Sequence, residues 1–170
     1  HSSHRRQRQM CIRDSNIYSQ KTYVPSDEFE SWLEFQGYGD GIALNDSVLT
    51  SALLTCTGMN LNAGSWSNID DFTGIEEMLN LDQLYIGPNA TADTLSLQNN
   101  VSLSVFQVNN QNIEFLDLSD KPLLNNLYIN SSNLKNFTFS NNTILTYLDM
   151  PNSFLLEECY INNTNIDSLD

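Results

Sequence analysis

Eight short apolar triplets recur from residue 84 to residue 161 at steps of 10 or 11 residues. They are Leu84-Tyr85-Ile86, Leu95-Ser96-Leu97, Phe106-Gln107-Val108, Leu116-Asp117-Leu118, Leu127-Tyr128-Ile129, Phe137-Thr138-Phe139, Leu148-Asp149-Met150 and Cys159-Tyr160-Ile161. A ninth begins at Leu169. Every second triplet gives Leu84, Phe106, Leu127, Leu148 and Leu169, at steps of 22, 21, 21 and 21 residues. A fixed period of roughly 20–50 residues marks a chain of stacked units that share one continuous core. Within each triplet the apolar residues alternate with an outward one, the period of a strand with one buried face.

The flanks of the triplets obey one grammar. Counting each first member as 0, apolar residues fall at −3, 0, +2 and usually +7. Phe106 has Leu103, Val108 and Ile113; Leu127 has Leu124, Ile129 and Leu134; Leu148 has Leu145, Met150 and Leu155. The intervening triplets match, as with Ile113, Leu116, Leu118 and Leu123, or Leu134, Phe137, Phe139 and Ile144. The +5 position holds Asn89, Asn100 and Asn142, and elsewhere Gln111, Lys121, Ser132, Ser153 and Thr164. Asn109, Asn110, Asn141 and Asn163 stand close enough to substitute. The chain holds 23 asparagines. A stacked amide can donate to one turn and accept from another, so this richness is expected at coil corners. Asn-x-Ser/Thr triplets at Asn89, Asn100, Asn130, Asn136, Asn141 and Asn162 are then by-products of the ladder and need no glycan.

Residues 57–170 follow the pattern L-x-x-L-x-L-x-x-N-x-L and resemble leucine-rich repeat proteins. The strings Tyr23-Val24-Pro25-Ser26-Asp27-Glu28-Phe29, Phe72-Thr73-Gly74-Ile75-Glu76 and Asn142-Thr143-Ile144-Leu145-Thr146-Tyr147-Leu148-Asp149 narrow this. They are similar to internalin-like secreted bacterial proteins, the type found with type IX sorting domains. The resemblance implies a leucine-rich repeat solenoid, a right-handed β/α-type superhelix of mostly short parallel strands with little helix, closed by an N-terminal helical cap. A parallel β-helix is the rival architecture. Repeats this short leave little room for outer helices. The Leu84, Phe106, Leu127 and Leu148 series is expected to form one parallel sheet. The Leu95, Leu116, Phe137 and Cys159 series is expected to run extended on the opposite side.

The N-terminal part divides further. Residues 5–15, Arg5 to Ser15, resemble a translated sequencing-library adapter, and residues 1–15 are set aside as an artefactual or disordered leader. They hold four of the seven basic residues; the rest of the chain has 3 basic against 20 acidic groups. Residues 16–20 fit a signal-peptidase site, with Ile17 at −3 and Ser19 at −1. Residues 21–57 form the expected cap. There, Ser26 can cap a helix, Asp27 and Glu28 suit its positive end, Phe29, Trp32 and Leu33 share a face, and Gly37 can end it. Asp40, Asn45 and Asp46 lack the alternation of a calcium loop, so residues 37–46 are read as a structural turn. Residues 48–57 are expected to supply edge strands. Residues 59–84 read as a degenerate first repeat with Met59 and Leu61 in its strand and a short helix or 3₁₀ turn within residues 70–78. Residues 58–170 then form the repeat array, which the chain is expected to continue beyond Asp170.

The composition narrows function mostly by exclusion. With 7 Lys plus Arg against 21 Asp plus Glu, the net charge is −14. Nucleic acid and anionic membrane surfaces need clustered cations, so neither is an expected partner. No run of eighteen apolar residues exists to insert into a membrane. Both histidines, His1 and His4, lie in the leader, which removes histidine-based triads and most zinc sites. Cys159 takes an inward position and is expected as a buried thiol. No enzyme activity, metal or cofactor is expected. The outward positions of the main strand series are the place for binding. Tyr85, Gln107, Tyr128 and Asp149 fall at +1, Asn126 and Tyr147 at −1, and Asn109 at +3. Tyrosine among amides provides contact area at low entropy cost. The expectation is a secreted or cell-surface module that binds protein or mediates adhesion. The alternative is a carbohydrate-binding or spacer segment of a larger secreted protein.

Overall fold

The computed structural model describes residues 20–62, 66, 68–131 and 133–166. The adapter-like leader, the signal-peptidase site at Ser19, Ser132 and the triplet at Leu169 lie outside the described residues.

The chain opens with β1 (Lys21–Tyr23), α1 (Asp27–Gln36) and β2 (Ser47–Leu49), with β1 and β2 paired antiparallel. Phe29, Trp32 and Leu33 point inward from α1, and Phe29 meets Phe72 edge-on at 5.6 Å between ring centroids. Gly37 ends the helix at φ 83°, while the Tyr38 N–H donates to the Leu33 carbonyl at 2.8 Å. Ser26 does not cap. Its hydroxyl donates instead to Asp70 at 2.7 Å, tying the start of α1 to the first coil. The glycine-rich turn is fixed by two acids of α1. Buried Glu30 accepts from the Asn45 and Asp46 N–H groups at 3.0 and 2.9 Å, and Glu34 accepts from the Asp40 N–H at 2.7 Å. Asp40 pairs with Lys21 at 2.6 Å. Of residues 48–57 only Val48 and Leu49, in β2, belong to the cap's strand pair; α2 (Thr50–Leu53) is a helical turn. The sequence expectation of edge strands fails there because Leu53 and Cys56 must both point inward, and a spacing of three suits a helical turn.

From β3 (Gly58–Asn60) onward the chain winds as a parallel β-solenoid of about five turns with little helix. A 3₁₀ turn at Ile75–Glu77 precedes β4 (Gln83–Ile86), followed by β5 (Val105–Val108), β6 (Phe115–Asp117), β7 (Asn126–Ile129), β8 (Asn136–Thr138), β9 (Tyr147–Asp149) and β10 (Glu158–Tyr160). The main sheet has the order β3-β4-β5-β7-β9 and the second sheet β10-β8-β6. Register follows the triplets: Met59, Leu84, Phe106, Leu127 and Leu148 are successive neighbours, as are Leu116, Phe137 and Cys159. The two strand series therefore stack as the period requires, except for Leu95-Ser96-Leu97, which forms no strand.

The interior is built from positions −3, 0 and +2. Leu81, Leu84, Ile86, Leu103, Phe106, Val108, Leu124, Leu127 and Ile129 are all fully buried, and the Phe137 and Phe139 rings stack at 4.7 Å. Each such side chain contributes roughly 1.5–3 kcal/mol by leaving water. The +7 position behaves differently. Ile113 and Leu134 are buried, because +7 there is also −3 of the next triplet. Leu123, Ile144 and Leu155 are exposed, because the following residue (Leu124, Leu145 or Leu156) takes the inward place. Cys159 is also exposed, contrary to expectation. Its register is inward, beside Phe137, but no described coil covers it on the other side.

Asparagine and its substitutes hold the corners in two kinds of column. Buried amides reach across coils to backbone. Asn100 donates to the Ile75 and Met78 carbonyls at 2.9 and 3.0 Å, Asn110 donates to Ala92 at 3.0 Å, and the Ser131 hydroxyl donates to Ile113 at 3.1 Å. Asn142 donates to the Leu118 carbonyl at 2.9 Å and accepts from the Lys121 N–H at 2.8 Å. Beside them run outer ladders: Asn152 to Asn130 to Asn109, and Asn163 to Asn141 to Asp120, at 2.8–3.1 Å. Asp120, Asn141 and Asn163 adopt φ of 57°, 64° and 53°. Asn and Asp tolerate this left-handed region better than other L-residues, which suits them to the turn as well as to the ladder. The nearby residues Asn110 and Ser131, not Gln111 at +5, fill the main-sheet corner.

Removing a buried amide should cost far more than removing an exposed one. Asn142→Ala strands the Lys121 N–H and the Leu118 carbonyl, at about 1–3 kcal/mol each. Asn89 is exposed, and its side chain makes no recorded bond among the described residues. Urea unfolding should show a loss of roughly 2–4 kcal/mol for Asn142→Ala and under about 0.5 kcal/mol for Asn89→Ala.

Candidate functional site

Six of the seven residues singled out on the main face lie on outward positions of the five-stranded sheet, and Asn109 falls just past the end of β5. Register places Tyr85, Gln107, Tyr128 and Asp149 in one column and Asn126 beside Tyr147 in the next. Tyr147 and Asn126 are exposed; the +1 column is half-buried by its own neighbours. The Tyr147 hydroxyl donates to Asp149 at 3.3 Å, and the Asp149 charge chiefly raises its pKa. Tyr147 therefore stays a neutral donor at physiological pH. Asn109 is committed to the ladder, since its side-chain oxygen accepts from Asn130 at 2.9 Å. The named residues of this face are an in-register array of phenols, amides and one carboxylate.

A groove of about 620 Å³ lies on the other side of the solenoid. Its floor comes from the outward positions of the second strand series. Thr94, Phe115 and Asn136 belong to the −1 column, and Ser96, Asp117 and Thr138 to the +1 column. One wall is supplied by residues 71–76, which belong to the irregular first coil and its 3₁₀ turn. Residues 94–97 run between wall and β6 with no backbone hydrogen bond to residues 115–117. Asn99, the corner residue equivalent to Asp120 and Asn141, does not take positive φ. The second sheet thus starts one coil late, and the groove sits where its regularity is missing.

Acids dominate the groove. Asp71, Glu76, Asp117 and Asp120 line it against one cation, Lys121. Each carboxylate accepts one local bond: Asp71 from the Thr73 N–H at 2.7 Å, Glu76 from the Gly74 N–H at 2.9 Å, Asp117 from the Ser119 N–H at 2.9 Å, and Asp120 from the Asn141 amide at 2.8 Å. None joins the ion pairs recorded among the described residues, which are Lys21–Asp40 and Lys135–Glu114. Lys121 occupies the buried corner column between Asn100 and Asn142 and is 2% exposed. Its amine donates to the Ser119 carbonyl at 3.0 Å. Burial lowers its pKa, against the opposing pull of Asp117 and Asp120. Sequence reasoning placed binding on the main face only. The signal for this groove was present in the alternating outward residues of the second series, but its wall comes from a stretch outside the repeat.

Among the described residues no three metal-ligating side chains converge. Cys56 is buried, and burial raises its thiol pKa, so it is held protonated. No protein-family model matches the chain, and comparison with curated proteins finds no match.

Lys121 should leave a pH signature. Its folded pKa lies below the usual lysine value, so the unfolded chain binds more protons in the window between the two. Stability from this group therefore rises as pH climbs toward about 10.4. Lys121→Met keeps the aliphatic packing and removes the titration. The stability difference between native chain and variant, measured by urea unfolding, should shift in favour of the native chain from pH 7 to pH 10.

Proposed function

We propose that this chain is part of an internalin-like leucine-rich repeat protein, secreted or carried on the cell surface, whose solenoid binds other proteins or mediates adhesion. In this reading α1 and the β1–β2 pair act as the cap of the first coil, with Trp32 and Phe29 covering apolar side chains that would otherwise meet water. The reading assigns no catalytic step. Among the described residues no helix is long and apolar enough to cross a membrane.

One observation carries the choice of a protein partner. Leu79, Val101, Leu123 and Ile144 recur at steps of 22, 22 and 21 residues, each three or four residues before a main-sheet strand. Their exposures are 42%, 49%, 51% and 42%. A solenoid corner needs no aliphatic residue on its outside, yet the approaches to β4, β5, β7 and β9 each supply one. Scattered exposed aliphatics are ordinary, but four spaced about one coil apart, four or five residues before the first triplet residue, point to an apolar stripe, the kind of surface proteins cover with other proteins. Aliphatic stripes lack the flat rings and paired amides that suit a sugar. A carbohydrate reading would rest instead on Tyr85, Tyr128 and Tyr147 of the main face.

Affinity capture from the surroundings of the producing cells, run in parallel with a glycan array, separates these readings. The native chain should capture protein, and Val101→Asp/Leu123→Asp should lose that capture with little change in melting temperature. A sugar signal abolished by Tyr128→Ala, with protein capture unaffected by the stripe variant, would establish the carbohydrate reading instead.

A further inference from the structure

We propose that the groove between residues 71–76 and the second sheet takes an extended, arginine- or lysine-bearing segment of a protein partner, held by Asp71, Glu76, Asp117 and Asp120 with Phe115 as its apolar contact. This rests on the protein-binding reading but concerns a different surface from the apolar stripe. Three observations carry it.

The first is charge. Four carboxylates against one lysine leave the groove at −3. The lysine is buried and its amine donates to the Ser119 carbonyl; it attracts Asp117 and Asp120 without pairing with either, and Asp71 and Glu76 have no cation beside them in the lining. Each acid keeps lone pairs free beyond its single local bond. A guanidinium or ammonium fits such acceptors by charge-assisted bonds, with arginine able to engage a carboxylate through two N–H groups.

The second is arrangement. Asp71 and Glu76 come from the coil before residues 94–97, while Asp117 and Asp120 come from the coil after them. The acids are thus spread across the groove rather than converging, in keeping with the absence of a metal-ligating group among the described residues. Dispersed acids suit several cationic side chains along an extended segment better than one metal ion.

The third is Phe115. It stands outward from β6 at 58% exposure, within the acidic lining. An aromatic face beside carboxylates favours a cation that can both stack and pair. The groove volume, about 620 Å³, lies within the roughly 300–1,000 Å³ usual for binding clefts.

Fluorescence anisotropy tests the assignment with three labelled ten-residue peptides: alternating Arg-Ser, alternating Glu-Ser and Gly-Ser. The Arg-Ser peptide alone should bind, and more weakly as salt rises. Glu76→Gln/Asp117→Asn should raise its Kd about tenfold or more, and Phe115→Ala should raise it several-fold. Phe115 and Asp117 are exposed and Glu76 is half-buried, and circular dichroism checks that the variants stay folded. The charge-matched control Glu28→Gln/Asp46→Asn, exposed on the N-terminal segment and outside the groove lining, should leave Kd unchanged. An equal loss in the control would reduce the effect to the general acidity of the chain and overturn the proposal, as would no loss in the groove variants. A neutral oligosaccharide that binds and is lost with Phe115→Ala, while the Arg-Ser peptide does not bind, would also overturn it. If the peptide fails but protein capture still depends on Val101 and Leu123, the groove assignment falls and the protein-binding reading stands.

Discussion

Side-chain amides at the corners are what the stack depends on. Apolar burial supplies most of the free energy of such a coil, but it is non-directional and would tolerate many alignments. A corner is not tolerant. The backbone leaves the sheet there, and its carbonyls and N–H groups need partners in a setting where water is excluded. Asn142 shows how little freedom remains: one amide bridges the Leu118 carbonyl and the Lys121 N–H of the neighbouring coil. A shift of one residue would break both bonds and turn Phe137 and Phe139 outward, because the strand period is two. The amides therefore fix the register in which the leucines and phenylalanines can be buried.

Where this corner arrangement lapses, the molecule gains a surface. Asn99 keeps ordinary φ, Leu95-Ser96-Leu97 stays out of the second sheet, and the preceding coil bulges through a 3₁₀ turn. The acidic groove occupies that place. Local departures from an otherwise consistent pattern are common at functional sites, because regular packing leaves little room for a ligand. The main face is the opposite case. Its tyrosines and amides follow the strand register from coil to coil.

The sequence made the interior legible because the rule is local. A strand buries alternate residues, so positions 0 and +2 follow from the triplet alone, and −3 follows from the need to turn inward before each strand. Position +7 was legible only where it coincided with the next −3; Leu123 and Ile144 look identical in composition to core leucines and differ only in having an inward neighbour one step later. The shift of the main-sheet corner to Asn110 and Ser131 depends on turn geometry, which adjacent asparagines do not reveal. The main-face columns were readable from strand alternation. The groove was not, since one wall comes from residues 71–76, which share no period with the floor they face.

One further consequence lies in how burial changes along the stack. Leu127 and Ile129 are fully enclosed, Leu148 and Met150 only in part, and every residue of β10 is exposed. In a structure where each coil touches only its neighbours, opening costs one interface at a time. Amide hydrogen exchange would therefore be slowest around β5 and β7, which have a strand on both sides. The groove acid Asp117 lies two strands inward from β10. The residues that flank Asp117 on the inward side, Leu116 and Leu118, are enclosed, so the acidic surface is carried by a closed part of the stack.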